Sequence, residues 1–309
     1  MRNPAGFFFI GGAMRYEKPP LTFEQQADLL ISRGLVADRD ILISRLQAVN
    51  YYRLSGYLYP FRESDTVIKP GTTLDVVWHH YIFDRQLRIV VMDALERVEV
   101  AVRTQLAYLF AHQCGPFAYT DPGNLPGLGK KAYKRWLDEL KEETERSTET
   151  FIKHFQERYG DSHSTLPLWM LVEIMSFGKT LTFFKGVHRD LRTQLAARYE
   201  IPEKVLYSWL TSLNGVRNIC AHHGRLWNRV LGYRPKLPYE RKYPQWYQPV
   251  AIPQDKVFVI LTILRYMLRF VAPTTRWEDR LRSLLSSNKD ISTTAMGFPE
   301  RWMESPLWK

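Results

Sequence analysis

The chain has 309 residues, 45% hydrophobic and 24% charged, a balance that excludes disordered and collagen-like chains and suits one large domain or two modest ones. With 43 Lys and Arg against 32 Asp and Glu, it carries a net charge of +11, which favours polyanionic partners, nucleic acid ahead of an anionic membrane surface; the plainer alternative is a protein that is simply basic. Two cysteines, Cys114 and Cys220, match neither a disulfide framework nor a metal-ligand spacing and read as reduced, buried thiols of a cytoplasmic protein, and no apolar run reaches the length of a membrane span.

The first segment, residues 1–17, reads as an extension of no assigned role. Its Phe7–Ala13 run resembles a signal-peptide core without a cleavage site, and Met14 is an alternative start. A helix is expected over residues 22–33, opened by a Thr22/Gln25 capping box and ended by Gly34. A second spans about Asp38–Asn50, with Ile41, Leu42 and Leu46 inward. The aromatic run from Val49 to Phe61 is either a packing wedge, the commoner role, or a stacking surface for bases.

A long helix from near Leu74 to about Phe110 follows from apolar positions at a 3.6-residue period. Asp84/Arg88 and Glu99/Arg103 sit four apart in the favourable order for helical ion pairs. Glu96, Glu99 and Arg103 form one stripe, either a solvated face or a shell that orients Arg217. After a Pro/Gly loop over residues 120–131, one charged helix is expected from Lys130 to Tyr159, anchored by Trp136, Leu140, Phe151 and Phe155. Pro167 opens the next helix, a short one covers about 188–199, and another runs from about Pro202 to His223. A proline-rich, basic and aromatic segment over 233–253 reads as an extended loop. Helices at about 255–271 and 277–285 and a weakly ordered tail from Ser286 complete an all-α chain with no sheet and no repeat.

Chemistry concentrates at the end of the 202–223 helix. Arg217 and His222 lie about 140° apart around the axis, and Asn218 and His222 share a face. Gly224 is expected to take the left-handed position that closes the helix. A guanidinium can clamp a phosphate and an imidazole can move a proton near neutral pH, which together suit gripping or cutting RNA, whose 2′-hydroxyl is an internal nucleophile. His222 would transfer protons, Arg217 would stabilise charge on the phosphoryl oxygens, and the product would be a 2′,3′-cyclic phosphate without a metal. One His cannot easily serve as base and acid at once, so two copies facing each other across a homodimer axis are expected. The competing reading is a structural His at a helix C-terminus beside a surface Arg. His223 and Arg225 add polarity. A zinc site from Cys220, His222, His223 and Cys114 has no suitable spacing. Residues 201–250 hold eight Lys and Arg against two Asp and Glu, a net +6. This loop region, with Arg225, Arg229, Arg234, Lys236, Arg241, Lys242, Tyr243 and Trp246, is either a nucleic-acid groove with cations for the backbone and rings for the bases, or a structural strap.

Four stretches in order carry a resemblance to a known family: Asn50-Tyr51-Tyr52-Arg53-Leu54-Ser55-Gly56-Tyr57; Phe83-Asp84-Arg85-Gln86-Leu87-Arg88; Glu96-Arg97-Val98-Glu99 with Arg103; and Arg217-Asn218-Ile219-Cys220-Ala221-His222-His223 with Leu226-Trp227-Asn228-Arg229. Together they resemble the abortive-infection (Abi-like, AbiD/AbiF-type) bacterial family of the wider HEPN class of helical nucleases, over roughly residues 18–270. The resemblance implies an all-α helical bundle of HEPN type with an N-terminal helical extension: a helical region at 18–75, a HEPN-like domain at 76–285 containing the 233–253 loop, and a tail at 286–309. It implies a metal-independent endoribonuclease acting in phage defence or as a toxin, needing no cofactor. By that resemblance Arg217 and His222 would be catalytic with Asn218 supporting them; the residue pattern, apart from the resemblance, offers Glu96, Glu99, Arg103 and His223 as a supporting shell. RNA is the implied partner, both as target and as a structured small RNA that restrains activity. A non-catalytic RNA-binding module or a dimerising adaptor are the other outcomes known for this class.

Overall fold

The computed structural model describes residues 19–309, so the expectations for residues 1–17 fall outside it. The described residues form an all-α protein of twelve helices. Two isolated β-bridges, Val36 with Thr73 and Arg62 with Ile68, are its only strand-like pairings among the described residues. The chain divides into two compact units, one closing at Tyr81 and one running Ile82–Lys309.

The first unit contains α1 (Phe23–Ser32), α2 (Arg39–Val49) and α3 (Tyr51–Leu58). Both bonds of the Thr22/Gln25 capping box form at the start of α1, and Gly34 follows its end at φ +103°, where a side chain would be strained. Asp38 caps α2, which buries Leu42 and Leu46 but leaves Ile41 exposed, because Ile41 falls a quarter-turn outside the stripe facing α1. The aromatic run splits by face. Leu54, Tyr57 and Leu58 are buried, the Tyr51 hydroxyl accepts from Arg33 at 3.0 Å, and Tyr52 and Tyr59 are exposed.

α4 (Leu74–Cys114) begins in the first unit and runs through the second, four residues past its expected end. The charged segment after the 120–131 loop is two helices, α5 (Lys130–Arg146) and α6 (Thr150–Tyr159). Ser147 breaks it: its backbone is extended and its hydroxyl accepts from the Glu149 N–H at 3.3 Å, a local bond that competes with the helical one. Trp136 and Leu140 are buried, and Ile152 is buried where Phe151 and Phe155 were expected. α7 (Leu168–Ile174) starts after Pro167. α8 (Phe177–Gly186), not foreseen, is capped by the Ser176 hydroxyl accepting from Lys179 N. α9 (Arg189–Ala197) and α10 (Glu203–Ala221) follow.

α11 (Val257–Val271) is apolar on almost every side and buried nearly throughout, the helix around which the second unit packs. α12 (Trp277–Ser286) donates its Trp277 indole N–H to Val90 O of α4 at 2.7 Å. The tail after Ser286 is packed, not loose. Trp308 is buried against Phe258 and donates to Thr262 Oγ1 at 3.0 Å, while Arg282 donates to Trp308 O at 2.7 Å. Its polar composition hid its anchors, the buried Ile291, Met296, Phe298, Leu307 and Trp308.

Candidate functional site

α10 carries the site because its two faces differ. Leu206, Trp209, Leu213, Val216 and Cys220 are buried, whereas Arg217 is half-buried and Asn218 and His222 are exposed. The helix therefore offers Arg217, Asn218 and His222 at one end to solvent, as their spacing anticipated. It closes through a pair of backbone bonds, Gly224 N–H to Ile219 O at 2.7 Å and His223 N–H to Cys220 O at 3.0 Å, the Schellman arrangement.

The residue in the left-handed position is His223, at φ +56°, and not Gly224. Gly224 is needed for another reason: a Cβ there would lie 3.2 Å from both Ile219 O and Ile219 Cγ2, so the chain turns tightly against the helix end. A non-glycine residue at positive φ is uncommon, although His is among the types found there more often, and such strain persists only where surrounding contacts hold it.

Those contacts come from α4. Asp84 is fully buried, and its carboxylate accepts from Trp227 N–H at 2.7 Å and from Leu226 N–H at 3.0 Å. Arg88 pairs with the same carboxylate and donates to Gly224 O at 3.2 Å. The two residues read from sequence as one helical ion pair thus form a buried bracket that pins residues 224–227 directly after the motif. The Cys220 thiol lies in the same environment. Burial pushes its pKa up to about 12, with Arg88 opposing and Asp84 adding to the shift, so it is a packed thiol and not a thiolate.

The acidic stripe on α4 divides. Glu99, mostly buried, places Oε2 3.9 Å from Arg217 Nε, so this member does face the motif. Burial raises the Glu99 pKa above its ordinary value, with the charges of Arg103 and Arg217 opposing that rise. Arg103 turns elsewhere: its guanidinium donates to Val172 O at 3.0 Å and Met175 O at 3.1 Å, capping the C-terminal end of α7. Glu96 is exposed. At 3.9 Å the Glu99–Arg217 contact is a loose ion pair, and Arg217 keeps 34% of its side-chain surface open. Such half-exposed pairs hold about 0.2–1 kcal/mol, less than the roughly 1.5–3 kcal/mol of a hydrogen bond to a charged group, so Arg217 can exchange Glu99 for a phosphate.

A family model described as Abi-like protein matches residues 44–228, well over half of the chain, and its span includes the Asp84/Arg88 bracket, Glu99 and the Arg217–His222 turn. The chain belongs to the Abi-like family. Comparison with curated proteins and with solved structures finds no match. The family connects this Abi-like protein with abortive infection, a phage-defence response.

The segment at 233–253 lies beyond the family match and is held down on the bundle. Trp209 Nε1 donates to Lys236 O at 2.8 Å, Lys236 N–H donates to Ser208 Oγ at 2.8 Å, and Ser212 Oγ donates to Tyr233 O at 3.1 Å. Two of its expected RNA-contacting rings are core residues of the Abi-like bundle. Trp246 is fully buried, with ring centroids 5.0 Å from Trp209 and 5.6 Å from Tyr266, and Tyr243 is also buried. Aromatic residues in a loop become anchors when apolar surface lies beneath them, and here α10 and α11 supply it. The cations behave otherwise: Arg229, Arg234, Lys236, Arg241 and Lys242 are exposed, and Arg225 is half-buried. Tyr239 is the segment's most open ring, 82% exposed. The segment is a strap on its inner side and a basic surface on its outer side. Among the described residues, no group of three His, Cys, Asp or Glu is gathered to hold a metal ion, and no helix is long and apolar enough to cross a membrane.

Proposed function

We propose that this Abi-like protein is an endoribonuclease of the HEPN class, cutting RNA by metal-independent attack of a 2′-hydroxyl on the adjacent phosphate. One observation carries the reading: exposed His222 and half-open Arg217 share a helix end whose strained closure is pinned by the buried Asp84/Arg88 bracket. A left-handed residue is a common way to end a helix; what sets this end apart is that the residue is a histidine and that a buried ion pair holds the chain directly after it.

His222 takes the proton of the 2′-hydroxyl as the 2′-oxygen bonds to phosphorus. Arg217, released from Glu99, balances charge on the non-bridging oxygens, and Asn218, one face-turn from His222, donates its amide to the same phosphoryl group. The bond from phosphorus to the 5′-oxygen breaks, and that oxygen needs a proton. The matching histidine of a second copy supplies it in a homodimer, leaving a 2′,3′-cyclic phosphate and a 5′-hydroxyl. The exposed cations at Arg229, Arg234, Lys236, Arg241 and Lys242 attract the strand, and a structured small RNA bound there would hold the activity in check in the bacterial cytoplasm.

The test is incubation with RNA in EDTA, comparing wild type with His222→Ala and Arg217→Ala. Cyclic-phosphate ends that vanish in both variants are expected. Equal residual cleavage in both refutes the assignment. Salt-sensitive binding without any cut product identifies a non-catalytic RNA-binding module, the reading that the exposed basic strap would favour by itself.

A further inference from the structure

The start of α10, the opposite end from His222, borders a cavity of about 260 Å³ that the catalytic reading does not use. Lys185 from the end of α8, Arg192 from α9, Lys204 and Tyr207 from α10, and Tyr233 and Lys236 from the strap surround it. Four cations face one carboxylate, Glu203, which stands 3.2 Å from Arg192 Nε and spends its charge there. Lys185, Lys204 and Lys236 are exposed and turned to solvent around the opening. The strap side of the cavity is built rigidly. The backbone of Tyr233 and Lys236 is fastened to Ser208, Trp209 and Ser212 by the bonds at 2.8–3.1 Å that hold the strap, so Lys236 is delivered from a fixed main chain.

A second observation joins this cavity to the catalytic end. Lys204 and His222 are about five helical turns apart and therefore lie on one face of α10, about 27 Å from each other along the axis. The residues on the stripe between them are Tyr207, Thr211, Gly215 and Asn218, all half-buried or exposed. None is acidic, and Glu203, already paired, is the only carboxylate in α10. A polyanion lying along this stripe meets no carboxylate of α10 beyond the paired Glu203, and Gly215 has no neighbouring atom within 4 Å of where a Cβ would stand, so the middle of the stripe is open.

We infer that the cavity is a phosphate-binding site that anchors an RNA strand about 27 Å from His222, so that the exposed stripe of α10 is the path between anchor and cut. The identity of the strand as RNA rests on the proposed function; the phosphate chemistry of the cavity does not. At about 3.4 Å per phosphate, the spacing of a fully stacked duplex strand, the path takes about eight phosphates, and fewer for an extended strand, so a 12-mer reaches both ends and a 4-mer reaches one.

The experiment measures binding of 4-mer and 12-mer oligoribonucleotides across a salt series. It uses a His222→Ala background that cannot cut, with Lys204→Gln/Lys236→Gln compared against the charge-matched control Arg276→Gln/Lys289→Gln. The expected result is about a tenfold loss of 12-mer affinity and a salt slope reduced by about 0.7 for the lost phosphate, with the control unchanged. Titration with inorganic phosphate at constant ionic strength separates the sources. If free phosphate erases the 12-mer's advantage over the 4-mer in the background protein, the cavity accepts any phosphate group; if it does not, the cavity requires the phosphodiester chain. Equal 12-mer affinity and slope in the cavity variant and the control overturn the anchor, whether or not the wild type cuts RNA. Cavity-dependent binding by a protein that never cuts RNA leaves the anchor standing and removes the ribonuclease.

Discussion

Replacing Asp84 by asparagine preserves the shape of the side chain and removes its charge. Three partners then suffer together. The Leu226 and Trp227 N–H groups exchange a charged acceptor for a neutral amide oxygen, and Arg88, buried beside it, loses the charge of its counter-ion. Removing one partner of a buried pair costs about 3–5 kcal/mol, because the other charge stays buried without compensation. For a unit the size of Ile82–Lys309, each kcal/mol is worth about 2–4 °C, so Asp84→Asn is expected to lower the melting temperature by about 10 °C. Calorimetry on the purified full chain reads this directly. The double variant Asp84→Leu/Arg88→Met removes both charges at similar volume and so separates the cost of the uncompensated guanidinium from that of the backbone groups. It retains a cost of about 1–3 kcal/mol for each orphaned backbone N–H at Leu226 and Trp227. Well below its transition, Asp84→Asn should also lose RNA cleavage, since releasing residues 224–227 loosens the helix end that positions Arg217 and His222. A shift below about 2 °C in Asp84→Asn would refute the bracket.

Two further outcomes follow from the titrating groups near the site. Burial raises the Glu99 pKa in the folded chain above its ordinary 4.5, so the ionised carboxylate is a cost to folding that is fully present above the raised value and relieved as pH falls toward 4.5. Glu99→Gln should therefore match or exceed wild-type stability at pH 8, and melting curves from pH 8 to 4 should show the wild type gaining on it; a wild type that instead loses ground in acid contradicts the assignment. The two thiols should differ in reactivity. Cys220, buried with its pKa near 12, should resist iodoacetamide at pH 8 until the protein unfolds, while half-buried Cys114 is alkylated first; equal labelling rates by mass spectrometry would show that the α10 end opens in the native state.

Most of the helices could be read from the chain because local chemistry specifies them. The capping box at Thr22, the left-handed Gly34 and the 3.6-residue apolar period of α4 and α11 are set by neighbours within a turn or two. The clustering of Arg217, Asn218 and His222 at an exposed helix end is of the same kind, since spacing along one helix is spacing in space. Ser147 shows the limit of such reading: one hydroxyl bonding locally divided what the periodicity joined into a single helix.

What lay beyond the sequence was the assignment of partners between distant segments. Asp84 and Arg88 carry the spacing of an ordinary surface ion pair, and nothing local shows that Leu226 and Trp227 will bring their N–H groups to them across 142 and 143 residues. Arg103 and Glu99 share a stripe on α4, yet one meets the end of α7 and the other meets Arg217. Tyr243 and Trp246 look like rings for bases until α10 and α11 supply apolar surface beneath them, and Trp308 looks like part of a loose tail until Phe258 does the same. The physical reason is common to these cases. A side chain's intrinsic chemistry is a property of the residue, but its burial and its counter-charge belong to the packed chain, and these decide whether a charge braces a loop or faces a ligand.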